Sequence, residues 1–146
     1  MRRWLIFLPL FALACRPAPK TAPEFEPPPP ALPAGFRQIT TEEAARFLAG
    51  NPATLVIDAR TEAERKAHGQ IPGAQAFDYL AGQPTLDRLQ KIPNKDKPCL
   101  IYCAIGGRAR LLAAEMARMG FTEVLLLQHG FNGWVAGGKP VAGKTP

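Results

Sequence analysis

Cys103 opens the segment Cys103-Ala104-Ile105-Gly106-Gly107-Arg108, which gathers one thiol, two glycines and one guanidinium in six residues. The thiolate is the nucleophilic form of cysteine, and a nearby cation or helix N-terminus favours it. Gly106 and Gly107 permit backbone conformations closed to other residues. Successive N–H groups of Ala104, Ile105, Gly106 and Gly107 could then turn inward as an anion-binding nest. Arg108 would add a fixed charge able to hold an oxyanion. A lone cysteine is ordinarily a small buried hydrophobe. The Gly-Gly-Arg context favours a nucleophile instead. Cys99 does not qualify as its redox partner. Along one strand, four steps of about 3.3 Å separate the two Cα atoms by roughly 13 Å, against the roughly 4.4–6.8 Å that a disulfide needs. Cys99 is therefore expected as a buried strand residue, unbridged to Cys103.

Such a loop must be held by regular elements, and the flanking residues supply them. Cys99-Leu100-Ile101-Tyr102, Thr54-Leu55-Val56-Ile57 and Val124-Leu125-Leu126-Leu127 are continuous apolar runs, the pattern of strands buried on both faces. Arg108–Met119 reads as a helix with Leu111, Leu112, Met116 and Met119 as apolar positions, stopped by Gly120. Thr40 and Glu43 form a capping-box pattern that opens a helix over 42–50, with Ala45, Phe47 and Leu48 free to pack. Strands alternating with helices predict an α/β domain, a mostly parallel sheet with helices on both faces. Ligands of such sheets bind beyond the carboxyl ends of the strands. Those ends are Asp58-Ala59-Arg60, Cys103 to Arg108, and Gln128-His129-Gly130. Asp58 and Arg60 read as a supporting ion pair or helix cap, since buried charges need partners. His68 is expected in solvent and His129 in a loop, with Phe131 and Trp134 in the core. No metal site is expected.

Five blocks add a further level. Asp58-Ala59-Arg60, then Gly69-Gln70-Ile71-Pro72-Gly73-Ala74, then Tyr102-Cys103 through Arg108, then Gly120-Phe121, then Gly130-Phe131-Asn132-Gly133-Trp134 resemble the rhodanese-like domain in order and spacing. The resemblance spans nearly all of residues 36–141 and implies a small five-stranded domain over 35–143. It also implies a sulfurtransferase without metal or organic cofactor. Cys103 would carry the persulfide, and the amides of Ala104, Ile105, Gly106, Gly107 and Arg108 would cradle it. The donor would be thiosulfate, a polysulfide or a thiol persulfide, and the acceptor a thiol or cyanide. Related phosphatases and arsenate reductases place five residues between cysteine and arginine. Here there are four, a loop better sized for sulfane sulfur than for a tetrahedral oxyanion. Ala104 and Ile105 are apolar where the family often carries a basic or polar residue, which predicts weak use of the thiosulfate dianion. Gln70 replaces the usual histidine and Ala109 the usual serine. The alternative reading is a binding or regulatory module on a cell-envelope complex.

The chain has 146 residues with 47% apolar and 21% charged residues, which fits one globular domain with a tail and excludes wholesale disorder. Met1-Arg2-Arg3 precedes an apolar run from Trp4 to Ala14, too short to span a bilayer but sized for a signal peptide over 1–14. Ala12-Leu13-Ala14-Cys15 resembles a bacterial lipoprotein box, which makes Cys15 the expected lipid anchor. Eight prolines between Pro17 and Pro33 make 15–34 an extended spacer, with 144–146 as a short tail. The net charge of +6 falls to +4 without Arg2 and Arg3, and no aromatic stripe accompanies the basic residues, so nucleic acid is not expected as a partner. The expected location is the extracytoplasmic face of a bacterial membrane, with an envelope protein as a candidate sulfur acceptor.

Overall fold

The computed structural model describes residues 31–143. The expected signal segment over 1–14, the expected anchor at Cys15, most of the expected spacer over 15–34 and the tail at 144–146 lie outside the described residues. Three expected runs form adjacent strands of one parallel sheet: β2 (Leu55–Asp58), β4 (Cys99–Tyr102) and β5 (Val124–Leu127). Two short strands close the edges, β1 (Phe36–Ile39) and β3 (Gln75–Ala76), giving the order β1-β5-β4-β2-β3. Every pairing is parallel. The helices are α1 (Thr41–Gly50), α2 (Glu62–His68), α3 (Gln83–Gln90), α4 (Gly107–Arg118) and α5 (Gly130–Ala136). Among the described residues no helix is long and apolar enough to cross a membrane.

The continuous apolar runs are explained by cover on both faces. Side chains alternate across a strand. Ile57, Cys99, Ile101, Val124 and Leu126 therefore join Leu89 of α3 and Leu112, Ala113 and Met116 of α4 in one core. Val56, Leu100, Tyr102, Leu125 and Leu127 join Ala44 of α1 and Phe131 and Trp134 of α5 in the other. Thr40 and Glu43 make the reciprocal capping box at α1. At the far end of α4, the Gly120 amide donates to the Ala117 carbonyl and the Phe121 amide to Met116, the Schellman pattern that ends a helix. Leu111 departs from expectation. It is 54% exposed, because Ala109, Leu112, Ala113 and Met116 define the buried stripe and Leu111 stands one step round the helix from it.

At the carboxyl end of the sheet lies a buried polar knot. Asp58 and Arg60 are both almost fully inaccessible, at 0% and 1% exposure. Arg60 donates from Nε to Asp58 Oδ1 at 3.0 Å and from Nη2 to Oδ2 at 2.7 Å. Its Nη2 also donates to the Gly69 carbonyl at 2.7 Å. The Tyr102 hydroxyl donates to Asp58 Oδ2 at 2.6 Å and accepts from the Ile71 amide at 3.1 Å. The Arg60 guanidinium also lies over the Phe131 ring, 3.8 Å from its centroid. Burial alone would make Arg60 easier to deprotonate, but the hydrogen bonds and charge of Asp58 more than offset it and hold the guanidinium ionised. Burial, reinforced by the Asp58 charge, raises Tyr102 above the ordinary phenol range. Asp58→Asn leaves a buried guanidinium unpaired and is expected to cost roughly 3–5 kcal/mol. Tyr102→Phe, which orphans only the Ile71 amide, costs about 1–3 kcal/mol. Urea unfolding of the two variants checks the order.

Candidate active site

Cys103 is the first residue beyond β4, and Tyr102 of the polar knot fixes the strand end from which it leaves. Its side chain falls on the α4 face of the sheet with Ile101 and Ala109, and the residue is 1% exposed. Sγ accepts a hydrogen bond from the Gly106 amide at 3.1 Å. Gly106 reaches that geometry at φ +112°, a conformation side-chain-bearing residues rarely adopt. It is also the N-cap of α4, so the helix begins at the sulfur and directs its partial positive charge there. The first-turn amides of α4 have no acceptor within the helix, which leaves them available to an anion. The sequence expectation gave both glycines a special conformation. Only Gly106 has one; Gly107 is the first residue of α4.

The loop is held from its other side by α5. The Phe131 amide donates to the Cys103 carbonyl at 2.8 Å, and the Asn132 amide to the Ala104 carbonyl at 3.0 Å. Both peptides are trans, and a trans peptide points its N–H opposite to its C=O. Anchoring those carbonyls on α5 therefore turns the Ala104 and Ile105 amides away from it. The close approach requires Gly130, which sits at φ +55°; a Cβ there would stand 2.4 Å from the Cys103 oxygen and 2.7 Å from that of Ala104. Ile105 is 72% exposed at the loop tip.

Arg108 stands otherwise than expected. Both terminal nitrogens are engaged by Glu64 of α2, Nη1 to Oε2 at 2.7 Å and Nη2 to Oε1 at 2.6 Å. The guanidinium is a brace between α2 and α4 instead of a free charge beside the sulfur. The Arg108 hydrogen bonds, helped by those of Thr61, hold the Glu64 carboxyl well below the usual range, to about 2, against the opposing effect of burial. Glu64 raises Arg108 in turn. Sequence reasoning missed Glu64. Thr61-x-x-Glu64 does carry the capping-box signature, and the structure shows both of its bonds. The pairing with Arg108 crosses 44 residues and has no local signal.

The remaining residues lie outside the cysteine loop. Asp58 and Arg60 form the buried knot. Cys99 lies at the opposite end of β4 with its thiol pushed up by burial to about 12. Both Cys99 and Cys103 are free thiols. His68 and His129 are exposed, and His68 lines a cleft of about 400 Å³ with Phe131, Asn132, Val135 and Ala136. Phe131 and Trp134 are buried, and Trp134 Nε1 donates to the Pro140 carbonyl at 2.7 Å. Gln70 Nε2 donates to the Ala74 carbonyl at 2.9 Å and closes the Gly69-to-Ala74 turn. Among the described residues no group of His, Cys, Asp and Glu is placed to hold a metal ion.

Residues 40–137 match the model of the Rhodanese-like domain, and the chain belongs to that family. It is 31% identical over 106 residues to the thiosulfate sulfurtransferase GlpE of Actinobacillus succinogenes, covering 73% of this chain and 90% of that protein. It is 27% identical over 117 residues to arsenate reductase 2.1 of Oryza sativa subsp. japonica, covering 72% of each. The solution structure of the rhodanese-like domain of the Anabaena sp. protein Alr3790 superposes with a TM-score of 0.63 at 25% identity, over 73% of this chain and 78% of that one.

Gly130→Ala is expected to displace the loop carbonyls and lower any activity of Cys103 at least tenfold, on the order of the loss that small misplacements of reacting groups produce. Rates of Cys103 alkylation and sulfur transfer, measured on the folded variant, check this. Acid titration isolates the Glu64–Arg108 brace. Glu64 titrates near 2 in the fold against an ordinary 4.5, so its stabilisation is complete above about pH 5 and is lost as pH falls toward 2. The wild type should therefore lose stability more steeply than Glu64→Gln across that window, as read from urea midpoints.

Proposed function

We propose that the domain is a sulfurtransferase that shuttles sulfane sulfur on Cys103. The observation that carries this reading is the Cys103 sulfur, held by the Gly106 amide under the start of α4 in a four-residue loop. The Cys103 thiolate attacks the outer sulfur of a donor and forms a new S–S bond. The donor's own S–S bond breaks, and its thiolate, or sulfite from thiosulfate, leaves with the electron pair. An acceptor thiolate or cyanide then attacks the outer sulfur of the Cys103 persulfide, and the Cys103 thiolate is the leaving group. Each exchange is balanced and needs no oxidant. Backbone amides and the α4 terminus stabilise the persulfide anion without rearranging. The kinship with GlpE, named a thiosulfate sulfurtransferase, supports sulfur transfer at the level of the family. The likeness to an arsenate reductase is offset by loop length, because four residues leave less room for a tetrahedral oxyanion than five.

The preferred donor is a thiol persulfide, whose terminal sulfur carries a single negative charge. Residues Ala104 to Gly107 carry no cation, and the charge of Arg108 is met by Glu64. The basic, apolar and Cys15 pattern of the first residues supports export and lipid anchoring, with the Pro-rich spacer holding the enzyme off an extracytoplasmic membrane surface near an envelope acceptor. Intact-mass analysis tests the chemistry. Wild-type protein exposed to glutathione persulfide should gain about 32 Da, one persulfide sulfur, and should load less completely with the dianions thiosulfate and polysulfide. Cys103→Ser should gain nothing, whereas Cys99→Ser should load like wild type. Failure of the wild type to load with any of the three donors would favour a binding module instead.

A further inference from the structure

Glu64 lies outside the cysteine loop, yet it sets the charge that the loop presents. Its Oε2 accepts from the Thr61 amide and hydroxyl, both at 2.9 Å, and from Arg108 Nη1 at 2.7 Å, while Oε1 accepts from Arg108 Nη2. The carboxylate is thus fixed by its own helix cap before it meets the arginine. Side-chain exposures of 22% for Arg108 and 30% for Glu64 put the pair in partial shelter from solvent, where charge is less screened than at the surface. Arg108 is the second residue of α4, and the N-cap of that helix is the Gly106 whose amide donates to Cys103 Sγ, so its charge belongs to the same helix start as the sulfur. A donor approaching Cys103 therefore meets a neutral ion pair and backbone amides where an unpaired guanidinium would have offered a full positive charge.

We infer that Glu64 is a specificity-determining residue of this site: by occupying both terminal nitrogens of Arg108 it withholds a cation from dianionic donors such as thiosulfate and favours singly charged thiol persulfides. The inference rests on the sulfurtransferase reading. Glu64 touches no reacting atom and acts through Arg108, which makes it a positioning residue. Neutralising it frees the guanidinium, and the gain is larger for a dianion than for a monoanion because Coulomb attraction scales with ligand charge. Glutamine is a suitable replacement, since a capping box accepts Gln as well as Glu.

The experiment compares kcat/KM for thiosulfate with that for the persulfide of 2-mercaptoethanol, using cyanide as acceptor. Glu64→Gln should raise the thiosulfate-to-persulfide ratio on the order of tenfold, chiefly through a lower KM for thiosulfate that climbs again with added salt. Arg108→Gln leaves the Glu64 charge facing the loop and should move the ratio the other way. The double variant, neutral once more, should return it to near the wild-type value. A purely structural role for Glu64 moves both donors in parallel and gives no return in the double variant; that result overturns the inference. If Glu64→Gln does not fold, an Arg108→Gln ratio equal to wild type is enough to reject it. A wild type that accepts sulfur from neither donor would instead remove the sulfurtransferase reading beneath it.

Discussion

The buried pairing of Asp58 with Arg60 is the constraint from which the active end of this domain is built. Two charges removed from water cost several kcal/mol each unless their hydrogen-bonding capacity is met. Here the obligation falls on neighbours in four places. Asp58 takes the Tyr102 hydroxyl at the end of β4, and Arg60 takes the Gly69 carbonyl after α2 and the face of Phe131 in α5. The Ile71 amide completes the set through Tyr102. Among the described residues no buried side-chain nitrogen or oxygen is left without a partner. Tyr102 immediately precedes Cys103, and Phe131 supplies the amide that holds the Cys103 carbonyl. A pair outside the cysteine loop thus fixes the residues on both sides of the sulfur.

The site itself depends on backbone more than on side chains. One amide reaches Sγ, the helix that follows begins at that amide, and the loop carbonyls are drawn off to α5. These dipoles are fixed by the fold and need no reorganisation when charge develops on sulfur. They carry partial charge only, which matches the large, diffuse anion of the proposed persulfide. A compact oxyanion would ask for more, and the side chain able to give it, Arg108, is already committed to Glu64. Loop length and charge balance therefore support the proposed chemistry by separate routes.

The sequence revealed the elements that are buried on both faces and the ends that are capped by local contacts. β4, β5 and most of β2 are legible because every residue is apolar, and α1 because Thr40 and Glu43 announce its start. The cysteine loop is legible because a thiol, two glycines and an arginine fall within six residues after a buried strand. The edges were not. β1 buries only Phe36 and Ile39, β3 is two residues long, and α2 buries nothing, so none of them carries a hydrophobic period to detect. Leu111 reads as inward from sequence because composition does not distinguish a buried stripe from its neighbour when Ala109 and Ala113 do the packing. The role of Glu64 was invisible for a different reason. Its local contacts are fully explained by the cap of α2, and its tertiary partner lies 44 residues away.

That double use of one carboxylate joins two things that sequence treats as separate, the start of α2 and the charge of the loop. Oε2 receives three donors, two from Thr61 and one from Arg108, so the cap sets where the arginine can rest. Both partners stand on helices, which hold a geometry more closely than loops do. The guanidinium would otherwise be free to swing toward solvent or toward an incoming anion, as long side chains with many rotamers do. Capping a seven-residue helix with the group that neutralises Arg108 removes that freedom. The charge of Arg108 is thereby tied to secondary structure: while α2 remains capped through Glu64, the guanidinium remains paired.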